Sequence, residues 1–268
     1  MSGFTLGMPT LIELDGLEAN VALASRLGLS FVELNMNEPR YCPEALSALC
    51  LLAVRGQSGV DFTLHLPEEL DLASFHPSIR RGHLDRCLEA IAWAGEAGMR
   101  LVNLHLNPGV YFTLPERRVW LYEKYRDRFL ATLEGSFRAM LDRAGPADVT
   151  ICIENAGGEF AEPFIREALE RLLRLDPHRI GLTWDVGHDA GSGCKARPVF
   201  EDHPERVRHM HLHDYDGKES HRVLFSGSVD VAAALSFAKH RGIDVVLETK
   251  TVGGLAESVK RIDQRDLH

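Results

Sequence analysis

Histidine and carboxylate side chains stand at or near the ends of short apolar runs along this 268-residue chain. FTLHL carries His65, LVNLHL carries His105, VTICIEN carries Glu154, and IGLTWDVGH carries Asp185 and His188. HMHLHD carries His211 with His213 and Asp214 behind it, and VVLET carries Glu248. Two runs precede these: FTLG near the N-terminus and FVELN, with Glu33 and Asn35. An apolar run that finishes on an imidazole or a carboxylate reads as a buried strand delivering one reactive group to its carboxyl end. Imidazole mixed with carboxylate suits a divalent ion such as Mn²⁺ or Zn²⁺; oxygen ligands alone would favour Mg²⁺, and no thiolate belongs to the set. Glu154, Asp185, His211 and Glu248, one from each of the last four runs, make the best ligand set.

Residues so far apart meet only if the chain gathers its strand ends, and its element order is suited to that. After FTLG, LIELDGLEANVALASRLGL repeats apolar residues every three or four positions, as one face of a helix does, and FVELN follows. PEALSALCLLAVRGQSG reads as a helix closing at Gly56 or Gly59, and HLDRCLEAIAWAGEAG as one closing at Gly98. A long helix is expected from about Pro115 to Ala144, then FIREALERLLRLD, the short connection HPERV, DVAAALSFAKHRG and a closing helix around LAESVKRI. Continuous Val/Ile/Leu strands separated by helices imply a parallel sheet covered on both faces. Eight such units in about 250 residues, without a Pro/Ser-rich linker, favour an α/β barrel closed on itself. The expected architecture is a single (β/α)8 TIM barrel over residues 1–268. All strand carboxyl ends open on one face of such a barrel, and that face carries the active site.

Composition narrows the partners. A net charge of −9, from 30 basic and 39 acidic residues, disfavours nonspecific adhesion to phosphate backbones or anionic lipid. No Lys/Arg-rich, aromatic-interleaved segment is evident, so nucleic acid is a disfavoured partner. No stretch approaches about 20 continuous apolar residues, and MSGFTLGMPT lacks the basic-then-apolar order of an export signal, so no membrane contact is expected. Cys42, Cys50, Cys87, Cys152 and Cys194 are odd in number and make no CxxC pair, which suits free thiols in a reducing cytoplasm.

The phrases IENAGG, WDVGH, MHLHD followed by ESHRVLFSG, and VVLET resemble the sugar phosphate isomerase/epimerase superfamily. Those are the xylose isomerase-like barrels, which also include the endonuclease IV type of apurinic-site nuclease. The likeness runs through nearly the whole chain in order and spacing. It implies that Glu154, Asp185, His211 and Glu248 bind one divalent ion. It also implies that Glu154 and Glu248 flank the substrate as an acid/base pair, as in the ketose 3-epimerase branch. In such enzymes a metal on the carbonyl and neighbouring hydroxyl of a keto sugar stabilises the enediolate left when the α proton departs. One carboxylate takes that proton and the other returns it; positioned groups of this sort contribute roughly 10²–10⁴-fold each.

The resemblance further implies that His188 hydrogen-bonds a substrate oxygen, with His65, His105 and His221 lining the same mouth. The nuclease branch uses these four positions as additional ligands of a three-ion cluster. Its Asp-x-His step is Glu219-Ser220-His221 here, a longer acid after a shorter loop. The first expectation is therefore a metal-dependent sugar or sugar phosphate isomerase/epimerase acting on a small hydroxy-carbonyl substrate. The alternative is an endonuclease IV-like multinuclear phosphodiesterase acting on abasic DNA, and the third a barrel that binds without catalysis. One ion is expected, and two or three stay open.

Plainer roles stand beside these. Salt bridges closing the barrel could account for Glu154, Asp185 and Glu248, with Lys250 or an Arg as partner. Glu33 divides evenly between a substrate contact and a buried ion pair. His213 and Asp214 are expected to organise the loop behind His211, and His76, His83, His178, His203, His209 and His240 to fall on helices or loops without a role. NPGVYFTLPERRVWLYEKY is either a helix packed on the barrel or a lid over its mouth. Ketose 3-epimerases hold substrate with an arginine shortly after the strand-seven histidine; DYDGKESHR offers only Lys218 or Arg222. Barrels of this kind commonly pair through their helices, which leaves a homodimer open.

Overall fold

A computed structural model describes residues 4–267; positions 1–3 and 268 of the expected domain lie outside the described residues. Among the described residues ten strands form: β1 (Leu6–Pro9), β2 (Phe31–Asn35), β3 (Asp61–His65), β4 (Leu101–His105), β5 (Tyr111–Thr113), β6 (Arg118–Trp120), β7 (Thr150–Glu154), β8 (Ile180–Asp185), β9 (Val207–Leu212) and β10 (Asp244–Leu247). Eight of them close into a parallel barrel in the order β1-β10-β9-β8-β7-β4-β3-β2, as the eight apolar runs require. Side chains along each of these eight strands alternate between the helix layer and the lumen. Val32, Leu34, Val102, Leu104, Ile151, Ile153, Met210 and Leu212 are buried in the core outside the barrel wall.

Register then sets the mouth. His105 pairs beside Glu154, and Asp185 beside His211, so neighbouring strands place their terminal polar groups side by side. Helices end where the sequence marks them. The helix Ala48–Ser58 begins with the Ser47 hydroxyl accepting from the Cys50 amide at 3.2 Å and ends on Gly59 at φ 73°. That left-handed conformation costs glycine little.

Two expectations are corrected. The segment from Pro115 is not helical at its start: β5 and β6 form an antiparallel hairpin, and the long helix is Arg126–Ala147. VYFT and RVW are β-branched and aromatic, and Tyr111 packs edge-on against Trp120 at 4.9 Å between ring centroids, so cross-strand pairing prevails. His209 lies within β9 and is fully buried, facing the lumen. All five cysteines are free; burial pushes the Cys152 thiol up to about 12. Among the described residues no helix is long and apolar enough to cross a membrane.

Candidate metal centre

Glu154, the last residue of β7, is 1% exposed and is held from below and from one side. Asn103 Nδ2 donates to its Oε2, and Asn103 is itself fixed by accepting from Thr183 Oγ1 at 2.7 Å. His65 Nε2 lies 3.2 Å and His105 Nε2 3.4 Å from the same oxygen. The other oxygen, Oε1, faces His211 Nδ1 at 3.0 Å.

Asp185 ends β8 and caps the turn Val186–Gly191, accepting from the His188 amide at 2.7 Å. Its backbone is clamped by the Asn155 side-chain amide, with 2.9 Å bonds in both directions. His188 Nδ1 sits 2.9 Å from Oδ2, and His213 Nε2 3.1 Å from Oδ1. The His221 amide donates to His213 Nδ1 at 2.8 Å. That makes Nδ1 an acceptor and puts the His213 proton on Nε2, toward Asp185. Gly187 is required here, because a Cβ at that position would overlap the His213 ring.

His211 reaches the centre from β9 with its far nitrogen against a carboxylate. Its Nε2 lies 2.8 Å from Glu33 Oε1, while Glu33 Oε2 meets His209 Nε2 at 2.9 Å and accepts from Thr63 Oγ1 at 3.2 Å. Glu33 is therefore a buried ion pair within the lumen, which resolves its two expected roles. A carboxylate at Nε2 favours the proton there and leaves Nδ1 aimed at Glu154 and Glu248. Glu248 follows β10; Lys250 Nζ holds its Oε1 at 2.9 Å, and its Oε2 stands 3.3 Å from His211 Nδ1. Both Glu248 Oε2 and His211 Nδ1 are buried without a hydrogen-bond partner among the described residues.

Those unpartnered atoms test the fit for a cation. Glu154, Asp185, His211 and Glu248 each bring one ligand atom, all within 4.8 Å of one another. Ligands about 2.0–2.2 Å from a zinc-sized ion lie within roughly 4.4 Å of each other, so slight tightening closes the set. His65, His105 and Glu154 form an adjoining group of the same kind, and His188, His213 and His221 a third. Glu219 does not join them: its side chain is 72% exposed and ion-paired to Arg222 at 3.2 Å.

Imidazoles surround the carboxylates and set their charge. Burial alone would raise Glu154, but His211 and His105 outweigh it and hold its carboxyl well below the usual range. Asp185 is lowered against its burial by His213 and His188. Burial depresses His65 and His188, yet the Glu154 and Asp185 carboxylates lift each to about 9. His221 goes the other way, to about 4, because burial dominates.

Every expected site residue meets at the mouth, including His65, His105, His188 and His221. Asp214 organises the following loop through amides of Tyr215, Ser226, Gly227 and Val229, at 2.8–3.0 Å. Sequence reasoning missed Asn103, Thr183, His209 and the clamp made by Asn155. Asn103, Thr183 and His209 each lie two residues before a named residue on the same strand, and that period of two was the available signal.

A family model described as the xylose isomerase-like TIM barrel matches residues 21–265, and the chain belongs to that family. An uncharacterized protein of Methanocaldococcus jannaschii is 24% identical over 216 residues, 78% of this chain and 71% of the relative. Among solved structures, a D-tagatose 3-epimerase-like protein matches with a TM-score of 0.79 at 20% identity, covering 98% of this chain and 97% of its own. An L-ribulose 3-epimerase gives 0.74 at 14% identity, covering 98% and 94%. The 3-keto-D-glucoside 4-epimerase of E. coli gives 0.73 at 12%, covering 98% and 99%. At such identities the likeness is one of fold.

Proposed function

We propose that the chain is a divalent-metal-dependent isomerase or epimerase of a small keto sugar or related hydroxy-carbonyl compound. The observation that carries this is the placement of Glu154 and Glu248 around one ring nitrogen, 3.0 and 3.3 Å from His211 Nδ1. The sugar epimerases among the structural neighbours are consistent with it. Bound by Glu154, Asp185, His211 and Glu248, a divalent ion would polarise the substrate carbonyl and stabilise the negative charge that grows as the α proton leaves.

The side chains supply the proton handling. Glu154 and Glu248 come to His211 Nδ1 from two different strand ends, and on this reading one carboxylate accepts the substrate proton while the other returns it. Asn103 keeps the Glu154 carboxylate from rotating, and Lys250 does the same for Glu248. His188 offers its Nε2 to a substrate hydroxyl while Nδ1 is occupied by Asp185. Turnover of a keto-sugar panel, with and without added Mn²⁺, Zn²⁺ or Mg²⁺, tests the assignment; no metal-stimulated turnover and no retained metal would sink it.

The group His65, His105 and Glu154 favours one second possibility, a multinuclear phosphodiesterase. It requires two or three ions per chain and cleavage of abasic duplex DNA. Counting metals and assaying that cleavage separates the two.

A further inference from the structure

A second concave surface lies at the opposite end of the barrel from the metal centre. A pit of about 630 Å³ opens at the amino ends of the strands, between Thr5, Ser30, Asp61, Arg100, Thr150 and Arg208. Phe31 and Thr63 form its floor and separate it from the lumen pair Glu33 and His209. Phe31 packs against His209 at 6.1 Å between ring centroids, and Thr63 already donates to Glu33 at 3.2 Å. Gly7 makes room for that floor, because a Cβ there would meet the Phe31 ring at 2.5 Å.

Local structure is arranged around one residue of the wall. Leu182 pairs with Val207 and Thr183 with His209, so Arg208 is the extra residue of a bulge in β9. Gly181 pairs beside Cys152, two residues before Glu154 and so on the lumen side of its strand. A Cβ on Gly181 would lie 2.5 Å from Arg208 Cγ, which places the arginine stem on that same side. A bulge interrupts a ladder while re-aiming a side chain, and a glycine within a strand weakens it. Both concessions serve Arg208. Arg100, immediately before β4, reaches the same pit from a strand separated from β9 by β7 and β8. Among the described residues neither guanidinium is ion-paired or hydrogen-bonded to the protein. The two acids of the wall are engaged, Asp61 by Arg55 at 3.3 Å and Asp244 by the Thr5 hydroxyl at 2.5 Å.

We infer that this pit is a second binding site, taking a small dicarboxylate whose two ends meet Arg100 and Arg208. A planar guanidinium matches a carboxylate through paired donors. Arginines brought in from different sides of the ring favour a ligand with an acid at each end over one with a single acid. The site stands apart from the isomerase assignment, since its lining includes none of Glu154, Asp185, His211 and Glu248.

Calorimetry on the metal-loaded protein tests it, with succinate as the probe and butyrate, of equal chain length with one acid, as the control. Butyrate should bind at least about tenfold more weakly than succinate. Arg100→Gln and Arg208→Gln should each weaken succinate about tenfold, and Arg138→Gln, on the exposed face of the helix Arg126–Ala147, should leave it unchanged. Wild-type metal content and melting temperature in the variants show that they are folded. Carboxylates also bind metal ions, so the titration is repeated on protein stripped of metal and dialysed free of chelator, where the affinity for succinate should be the same. No succinate binding, equal binding of butyrate, binding indifferent to both pit arginines, or binding lost with the metal overturns the site. Binding of inorganic phosphate in place of succinate, abolished in both pit variants, would overturn the dicarboxylate class.

Discussion

Glu154 and Glu248 approach the same nitrogen of His211 from two sides, yet different kinds of structure hold them. Glu154 belongs to a strand and meets Asn103 and His105 from the adjacent β4 and His65 from β3, one strand further round the barrel. Glu248 stands just beyond β10, and its partners Lys250 and His221 come from loops. Lys250 has a side chain 57% exposed, whereas Asn103, His65 and His211 around Glu154 are buried and His105 is 17% exposed. Strand-held geometry is stiff, because moving one residue disturbs the ladder on both sides; loop-held geometry can vary without disturbing the barrel. The two acids thus differ in how firmly they are held, Glu154 within the barrel and Glu248 by adaptable loop residues.

The largest effect should come from the acids themselves. Glu154→Gln and Glu248→Gln should each lower kcat by about 10²–10⁴-fold in steady-state assays on keto sugars. If Glu248→Gln changes only KM, it binds rather than transfers a proton, and the pairing of the two acids breaks. Next come the groups behind the ligands. Asn103→Ala and Glu33→Gln should weaken metal binding about 10–100-fold in competition with a chromophoric chelator. Lys250→Gln should change metal affinity far less, and equal losses on both sides would erase the contrast between strand and loop.

A smaller effect concerns pH. His65 and His188 are lifted to about 9 by Glu154 and Asp185, above the ordinary 6.5. Their stabilising contribution is complete below about 6.5 and is lost as pH rises through about 9. The melting temperature of metal-stripped protein should therefore fall across that window. Metal-loaded protein should hold its melting temperature there, because the ion replaces the protons and releases them on binding. Identical profiles would mean that the histidines are not compensating the metal carboxylates. Smallest of all, Lys250→Gln should cost about 1 kcal/mol of stability by thermal melts, because the lysine end of its pair with Glu248 is largely exposed.

Much of this was legible in the chain because a parallel barrel writes each active-site group as the last polar residue of an apolar run. VTICIEN and IGLTWDVGH announced Glu154 and Asp185 without any knowledge of the fold's interior. The lumen was harder. Glu33 meets His209 across 176 residues, and nothing local distinguishes that ion pair from a substrate contact. The contact between Gly187 and the His213 ring exists only once the turn after β8 packs on the loop after β9. The hairpin β5–β6 hid because Pro115 and Glu116 sit in its turn, where they read as a helix start.

The central claim is that Glu154, Asp185, His211 and Glu248 hold a divalent cation. Metal analysis of protein stripped with chelator, reloaded and desalted tests it most directly, comparing the wild type with folded Asp185→Asn and His211→Ala variants. The account predicts at least one divalent ion per wild-type chain and almost none in either variant. Equal metal in all three proteins, or none in the wild type, would contradict it.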